Sequence, residues 1–147
     1  MKLYLDACCL SRLTGDQSHA RVRGEAHAVE SILRLIRNQR AVWVSSTVLE
    51  VEISRNPDAE RRRDLSALLA FANETVVPRA AAAGRAMSLE QLGFDAFDAL
   101  HLAVAELAGV DVFLTTDDDL VRRGNLYSKL LRTRIANPLS WYQDIAL

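Results

Sequence analysis

The sequence predicts an α/β protein, a three-layer α/β/α sandwich around a central parallel sheet. Three observations carry that reading. Short apolar runs of strand length recur along the chain, at residues 2–5, 41–45, 74–77 and 111–115. Between them lie longer stretches whose apolar residues repeat with helical spacing. Strands that are apolar on both sides, separated by amphipathic helices, form a parallel sheet covered on both faces. The third observation is residues 94–107, FDAFDALHLAVAEL, in which nearly every position from Ala96 to Ala108 is apolar. A helix that is apolar all round is buried on more than one face, so this one is expected at the centre.

Taken in order, residues 2–5 (KLYL) form a buried strand that stops at Asp6, and Gly15 and Asp16 mark a break. Residues 21–39 read as a helix with Val29, Ile32, Leu33 and Ile36 on one face. Residues 41–45 (AVWVS) are a second strand, followed directly by Thr47 and Glu50 at capping-box spacing with Thr47 as N-cap. That helix runs to about Arg55, because the residue before Pro57 is pushed out of the α region. Asn56 and Pro57 open another helix, with Leu65, Leu68, Leu69 and Ala72 facing inward. Residues 74–77 (ETVV) are a third strand closed by Pro78, and an alanine-rich helix spans 79–92 and ends at Gly93. The central helix stops at Gly109, residues 111–115 (DVFLT) are the fourth strand, and TTDDDL opens a short helix. Residues 121–134 are basic and weakly patterned, which predicts an irregular or mobile stretch. A last strand is expected at Ile135 and Ala136, with Pro138 opening a final turn of helix.

A chain of 147 residues, half apolar and one quarter charged, is expected to be a single domain over 1–147 with a proper core. No run of about 18 apolar residues is present, and the N-terminus lacks the apolar core and cleavage site of a signal peptide. A cytoplasmic protein with no membrane association is the expectation. Cys8 and Cys9 are adjacent and there is no histidine cluster, which excludes a structural zinc site and leaves both thiols as small core residues. The net charge of −1 leaves nucleic-acid binding to local patches.

The acidic residues carry the chemistry. In a sheet of this kind, ligands bind in the crevice along the C-terminal ends of the strands. Asp6 ends the first strand, Glu50 lies in the first turn after the second and Asp117 just after the fourth. Asp98 lies in the first turn of the helix that leads into the fourth strand. Each has an ordinary explanation as a helix-start acid, Asp95 being the N-cap before Asp98; Asp6 has the weakest one. Together, four like charges on one edge repel unless a cation is present. Hard oxygen ligands without cysteine or histidine clusters suit Mg²⁺ or Mn²⁺.

The pieces LDACCLSR with Asp6, SSTVLEVEI with Glu50, DALHLAVA with Asp98 and FLTTDDDL with Asp117 carry a family likeness. The sequence resembles PIN domains, the fold of many metal-dependent ribonucleases, including VapC-like toxins of bacterial toxin–antitoxin pairs. The resemblance implies a strand order of 3-2-1-4-5 and a Mg²⁺ or Mn²⁺ site built from Asp6, Glu50, Asp98 and Asp117, with Asp119 as a further candidate ligand. It also implies an RNA substrate, an antitoxin partner and a homodimer. Two departures stand out. Ala7 occupies the position after the first Asp where PIN domains commonly have Thr or Ser, leaving Ser11 or Ser46 to supply a hydroxyl. Three consecutive acids, Asp117 to Asp119, leave the fourth ligand open, although Thr115 and Asp117 fit the Thr-x-Asp pattern.

The implied activity is hydrolysis of a phosphodiester by metal-assisted attack of water, with Glu50 binding the metal directly or through water. Ser46, Thr115, Arg12, Arg122 and Arg123 are the candidate substrate contacts, Arg12 having a surface ion pair as its alternative. Arg61 to Arg63 read as a solvated face, and His101 as a hydrogen-bonded core histidine in preference to a catalytic base. The alternative function is a catalytically silent PIN fold that binds RNA or protein. A receiver-type domain would want an acidic pair after the first strand and a lysine after the last, and a haloacid-dehalogenase-type phosphatase an Asp-x-Asp. The chain has neither, Cys8 standing where the second Asp would be.

Overall fold

The computed structural model describes residues 1–146. Five strands, β1 (Lys2–Leu5), β2 (Val42–Ser46), β3 (Glu74–Val76), β4 (Val112–Leu114) and β5 (Arg134–Ala136), pair in the order β3-β2-β1-β4-β5. Every pairing is parallel, with Leu3 opposite both Trp43 and Val112. The chain winds outward from β1 to β3, returns to β4 on the other side of β1 and ends at β5. The switch point therefore lies between β1 and β4. There Asp6 N–H donates to Leu114 O at 3.0 Å, carrying the pairing one residue past the end of β1.

Side chains alternate across the strands and so build two cores. Leu3, Leu5, Trp43 and Leu114 face one layer, formed by α2 (Ala20–Arg37), α3 (Thr47–Ser54), α4 (Ala59–Leu69) and α8 (Pro138–Ile145). Tyr4, Val44, Phe113 and Ile135 face the other, formed by α5 (Ala80–Gln91), α6 (Ala96–Leu107) and α7 (Asp118–Leu126). The expected sandwich and strand order are thus present. The central helix is α6, buried at Ala99 and continuously from His101 to Glu106. No helix among the described residues is long and apolar enough to cross a membrane.

One element was not anticipated, and three local expectations are corrected. A short helix, α1 (Ala7–Ser11), follows β1 directly because the Asp6 carboxylate accepts Ala7 N–H and caps it. The N-cap of α3 is Ser46, not Thr47: Ser46 is extended (φ −149°, ψ 160°) and its Oγ accepts Leu49 N–H at 3.1 Å. Asp58, not Asn56 or Pro57, caps α4 by accepting from Glu60 and Arg61 N–H. Residues 121–134 are ordered by α7, a 3-10 turn (Ser128–Leu130) and β5.

The order in that last stretch has a physical source. Glu106, buried on α6, accepts Arg132 N–H at 2.7 Å and a two-pronged ion pair from Arg85 (2.7 and 3.1 Å). Arg85 also donates to Leu130 O. A buried carboxylate must be paired in this way, and the pairing fastens the segment to the core.

At Gly124 of α7, an added Cβ would lie 2.7 Å from Ile135 Cβ and Cδ1 on β5. Gly124→Ala is expected to destabilise the protein by about 1–3 kcal/mol through overpacking, read as a lower urea midpoint. An unchanged midpoint would show that β5 yields freely at this contact.

Candidate metal centre

Asp6 sits at the end of the central strand, only 7 % exposed. Its Oδ1 accepts Ala7 N–H at 2.9 Å, and its Oδ2 accepts the Thr115 hydroxyl at 3.0 Å and the Cys8 thiol at 3.5 Å. The hydroxyl missing at Ala7 is therefore supplied by Thr115, one residue past β4, and not by Ser11 or Ser46. Burial pushes the Asp6 carboxyl well above its ordinary range, with Cys8 and Glu52 adding to the rise and His101 and the Thr115 hydroxyl opposing it.

Glu52 and His101 join Asp6, offering ligand atoms that all lie within 4.8 Å of one another. Glu52 comes from the second turn of α3, and its Oε2 lies 2.7 Å from His101 Nε2 on α6. The other ring nitrogen, Nδ1, lies 2.6 Å from Tyr4 Oη, which in turn lies 2.6 Å from Ser46 Oγ. His101 is thus the hydrogen-bonded, buried histidine expected. Burial raises the Tyr4 phenol above its ordinary range and keeps it protonated.

Glu50 goes elsewhere. It is exposed and lines a separate hollow with Ser66, Leu69, Ala70, Ala72 and Thr75. Two positions along a helix turn the side chain by about 200°, so Glu50 and Glu52 cannot face the same crevice. The structure brings Glu52, and not the expected Glu50, to Asp6.

Asp98 is half-buried in the first turn of α6, its N–H bonded to the N-cap Asp95 at 2.9 Å. Its carboxyl is pushed up to about 8, first by burial and then by the nearby charges of Asp95, Asp6 and Asp117. Asp117 is exposed and caps α7, its Oδ1 accepting from Asp119 and Leu120 N–H. Asp119 is exposed and pairs with Arg122 at 2.9 Å, and Asp118 pairs with Arg21.

The expected substrate contacts are mostly engaged in the fold. Ser46 and Thr115 are fully buried, one as a helix cap and the other beneath Asp6, so neither hydroxyl is open to a ligand. Arg12 Nε donates to the buried Glu25 at 3.0 Å, which also takes Arg21 and Asn137. Arg123 donates to Leu92 O, lies over the Phe94 ring and fills the space beside Gly93, whose φ of 98° no side chain tolerates well. Arg122 alone of the five keeps an exposed side chain, in its ion pair with Asp119.

The donor set fits a hard divalent cation. Carboxylates dominate it, and burial together with neighbouring negative charge raises Asp6 and Asp98 above the ordinary carboxylate range, as crowding of acids does. Because the folded pKa of Asp98 is raised, its contribution to stability is full below the ordinary carboxylate range near about 4 and is lost as pH rises through about 8. In metal-free buffer the midpoint of thermal unfolding is expected to fall across that window, and to fall less steeply in Asp98→Asn. Parallel profiles for the two proteins would contradict the crowding of Asp98.

A model of the PIN-domain family matches residues 3–126. No curated protein matches the chain in sequence. Among solved structures, VapBC2 from Rickettsia felis, bound to a DNA fragment from its promoter, is similar at 14 % identity and a TM-score of 0.62. The match covers 93 % of this chain and 98 % of that one. VapBC-1 from nontypeable Haemophilus influenzae is similar at 15 % identity and a TM-score of 0.61, covering 94 % and 98 %. At such identities these two show a shared fold. With the family match spanning most of its length, the chain belongs to the PIN-domain family.

Proposed function

We propose that this protein is a divalent-metal-dependent ribonuclease whose Mg²⁺ or Mn²⁺ is held by Asp6, Glu52, Asp98 and Asp117. The observation that carries the reading is the buried Asp6 carboxylate, gathered with Glu52 and His101 at the switch point of a PIN fold, with Asp98 half-buried in the first turn of α6. When bound, the cation would neutralise the acids, polarise a phosphodiester oxygen and lower the pKa of a bound water. Asp6 is the fixed ligand, oriented by Ala7 N–H and the Thr115 hydroxyl. Glu52 Oε2 is taken by His101, which would leave Oε1 for the cation. The exposed cations Arg122, Lys129 and Arg132 offer contacts to an RNA backbone.

The chain is read as one nuclease domain over 1–147. Its likeness to the two VapBC structures favours the toxin of a toxin–antitoxin pair, working in the cytoplasm as a homodimer with a cognate antitoxin. The Thr115 hydroxyl at Asp6, where Ala7 offers none, favours the catalytic reading over a silent PIN fold.

Asp6→Asn, Glu52→Gln and Asp98→Asn are each expected to lower cleavage of single-stranded RNA by about 100-fold or more, as EDTA would in the wild type. Glu50→Gln is expected to cleave as the wild type does. Full activity in Asp6→Asn, or loss in Glu50→Gln alone, would refute the assignment.

A further inference from the structure

Glu52 reaches the centre from a helix, with its side chain 38 % exposed, and nothing in its own backbone holds the carboxylate in one pose. What holds it is a chain of buried side chains from three elements. Leu49 N–H donates to Ser46 Oγ (3.1 Å), Ser46 Oγ meets Tyr4 Oη (2.6 Å), Tyr4 Oη meets His101 Nδ1 (2.6 Å), and His101 Nε2 meets Glu52 Oε2 (2.7 Å). Ser46, Tyr4 and His101 are at most 1 % exposed, so each hydrogen must be placed within the chain.

The placement has a direction. An ionised carboxylate only accepts, so at 2.7 Å His101 Nε2 carries a hydrogen. A hydrogen on Nδ1 as well, as in the imidazolium, would turn the Tyr4 hydroxyl to Ser46 and leave the Ser46 hydrogen without a partner among the bonds present; with Nδ1 bare, it accepts the Tyr4 hydroxyl hydrogen. Tyr4 Oη in turn accepts from Ser46, whose oxygen accepts Leu49 N–H. In this order every hydrogen has an acceptor. Were Nε2 turned to a metal as a ligand, Nδ1–H would donate to Tyr4 and Tyr4 to Ser46. Ser46 would then accept twice and its own hydrogen would have no partner among the bonds present.

We propose that His101 is a positioning residue, not a ligand: the Ser46–Tyr4 pair fixes its Nε2–H tautomer, and Nε2–H locks Glu52 Oε2 so that Oε1 faces the metal centre. The proposal rests on the metal reading above and adds to it the device that orients the second carboxylate. Hydrogen-bonded partners of this kind tune a ligand without touching the ion.

The test uses the whole protein. In the metal-free state, ¹⁵N–¹H spectra of the histidine rings, with His101 assigned by comparison with His101→Gln, are expected to show the Nε2–H tautomer. In titrations with Mn²⁺, His101→Leu is expected to bind about 10–100-fold more weakly than wild type. His101→Gln, whose amide can still donate to Glu52, is expected to recover most of that loss. Pulsed electron paramagnetic resonance of the Mn²⁺-loaded wild type is expected to show no directly coordinated ¹⁴N. Should His101→Leu fail to fold, Tyr4→Phe removes only the hydroxyl while keeping the ring stacked on Phe113, and is expected to weaken Mn²⁺ binding as well. A Nδ1–H tautomer, a coordinated ¹⁴N, or wild-type Mn²⁺ affinity in His101→Leu or a folded Tyr4→Phe each overturns the proposal alone. Wild-type protein that takes up no Mn²⁺ overturns the metal reading, and the proposal with it.

Discussion

Burying one carboxylate at the end of the middle strand is the constraint on which the rest of this structure turns. An ionised group taken out of water costs several kcal/mol unless it is paired and hydrogen-bonded. Asp6 meets only part of that need, with one backbone N–H, one hydroxyl and one thiol. Its surroundings follow from those three bonds. The backbone bond starts α1 without a loop, and the hydroxyl bond ties the end of β1 to the residue after β4 across the switch point. The thiol of Cys8 also meets the Thr115 hydroxyl and Thr116 N–H, closing the loop after β4 over the same carboxylate. The unmet part of the cost shows as a raised pKa, because burial disfavours the charged form.

Much of this was legible in the residues. Alternation of short apolar runs with amphipathic stretches placed all five strands to within a residue or two at each end. The all-round apolarity of residues 96–108 placed α6 at the centre, with Asp95 as its cap and Asp98 in its first turn, as found. Asp6 stood out as an acid at a strand end with no helix expected after it, although it also caps the short α1. What sequence could not settle was helical phase. Ser46 and Thr47 are adjacent and both can cap, and only the tertiary bond between Ser46 and Tyr4 accompanies the choice of the first. With Glu50 and Glu52 both available, a place in the first turn after the second strand pointed to Glu50, whereas it is Glu52 that lies beside Asp6. The signal for Glu52 lay in His101, a buried polar residue whose acceptor was still unassigned.

A second lesson concerns charge. Basic residues read as candidate phosphate contacts are largely spent on architecture. Glu25 collects Arg12, Arg21 and Asn137, joining α2 to the end of α1 and to the cap of α8. Arg123 packs on Phe94 beside Gly93. Sequence shows a cation, but not whether a buried acid elsewhere has claimed it. Glu25 and Glu106 have no such excuse as helix-start residues, since Glu25 lies inside α2 and Glu106 in the last turn of α6, and an acid away from a helix start on an apolar face is itself the sign that arginines will be drawn inward.

The fastening at Glu106 has a thermodynamic consequence for anything anionic that meets the molecule here. Ordering a flexible basic loop on a ligand costs roughly 0.5–1.5 kcal/mol for each side chain immobilised, with loop ordering in addition. In this protein the backbone share of that entropy has been removed in advance, because Arg132 N–H and Leu130 O are already held from the core. Lys129 and Arg132 thus stand on a fixed rail, and a polyanion docking along it would lose only the freedom of the side-chain tips.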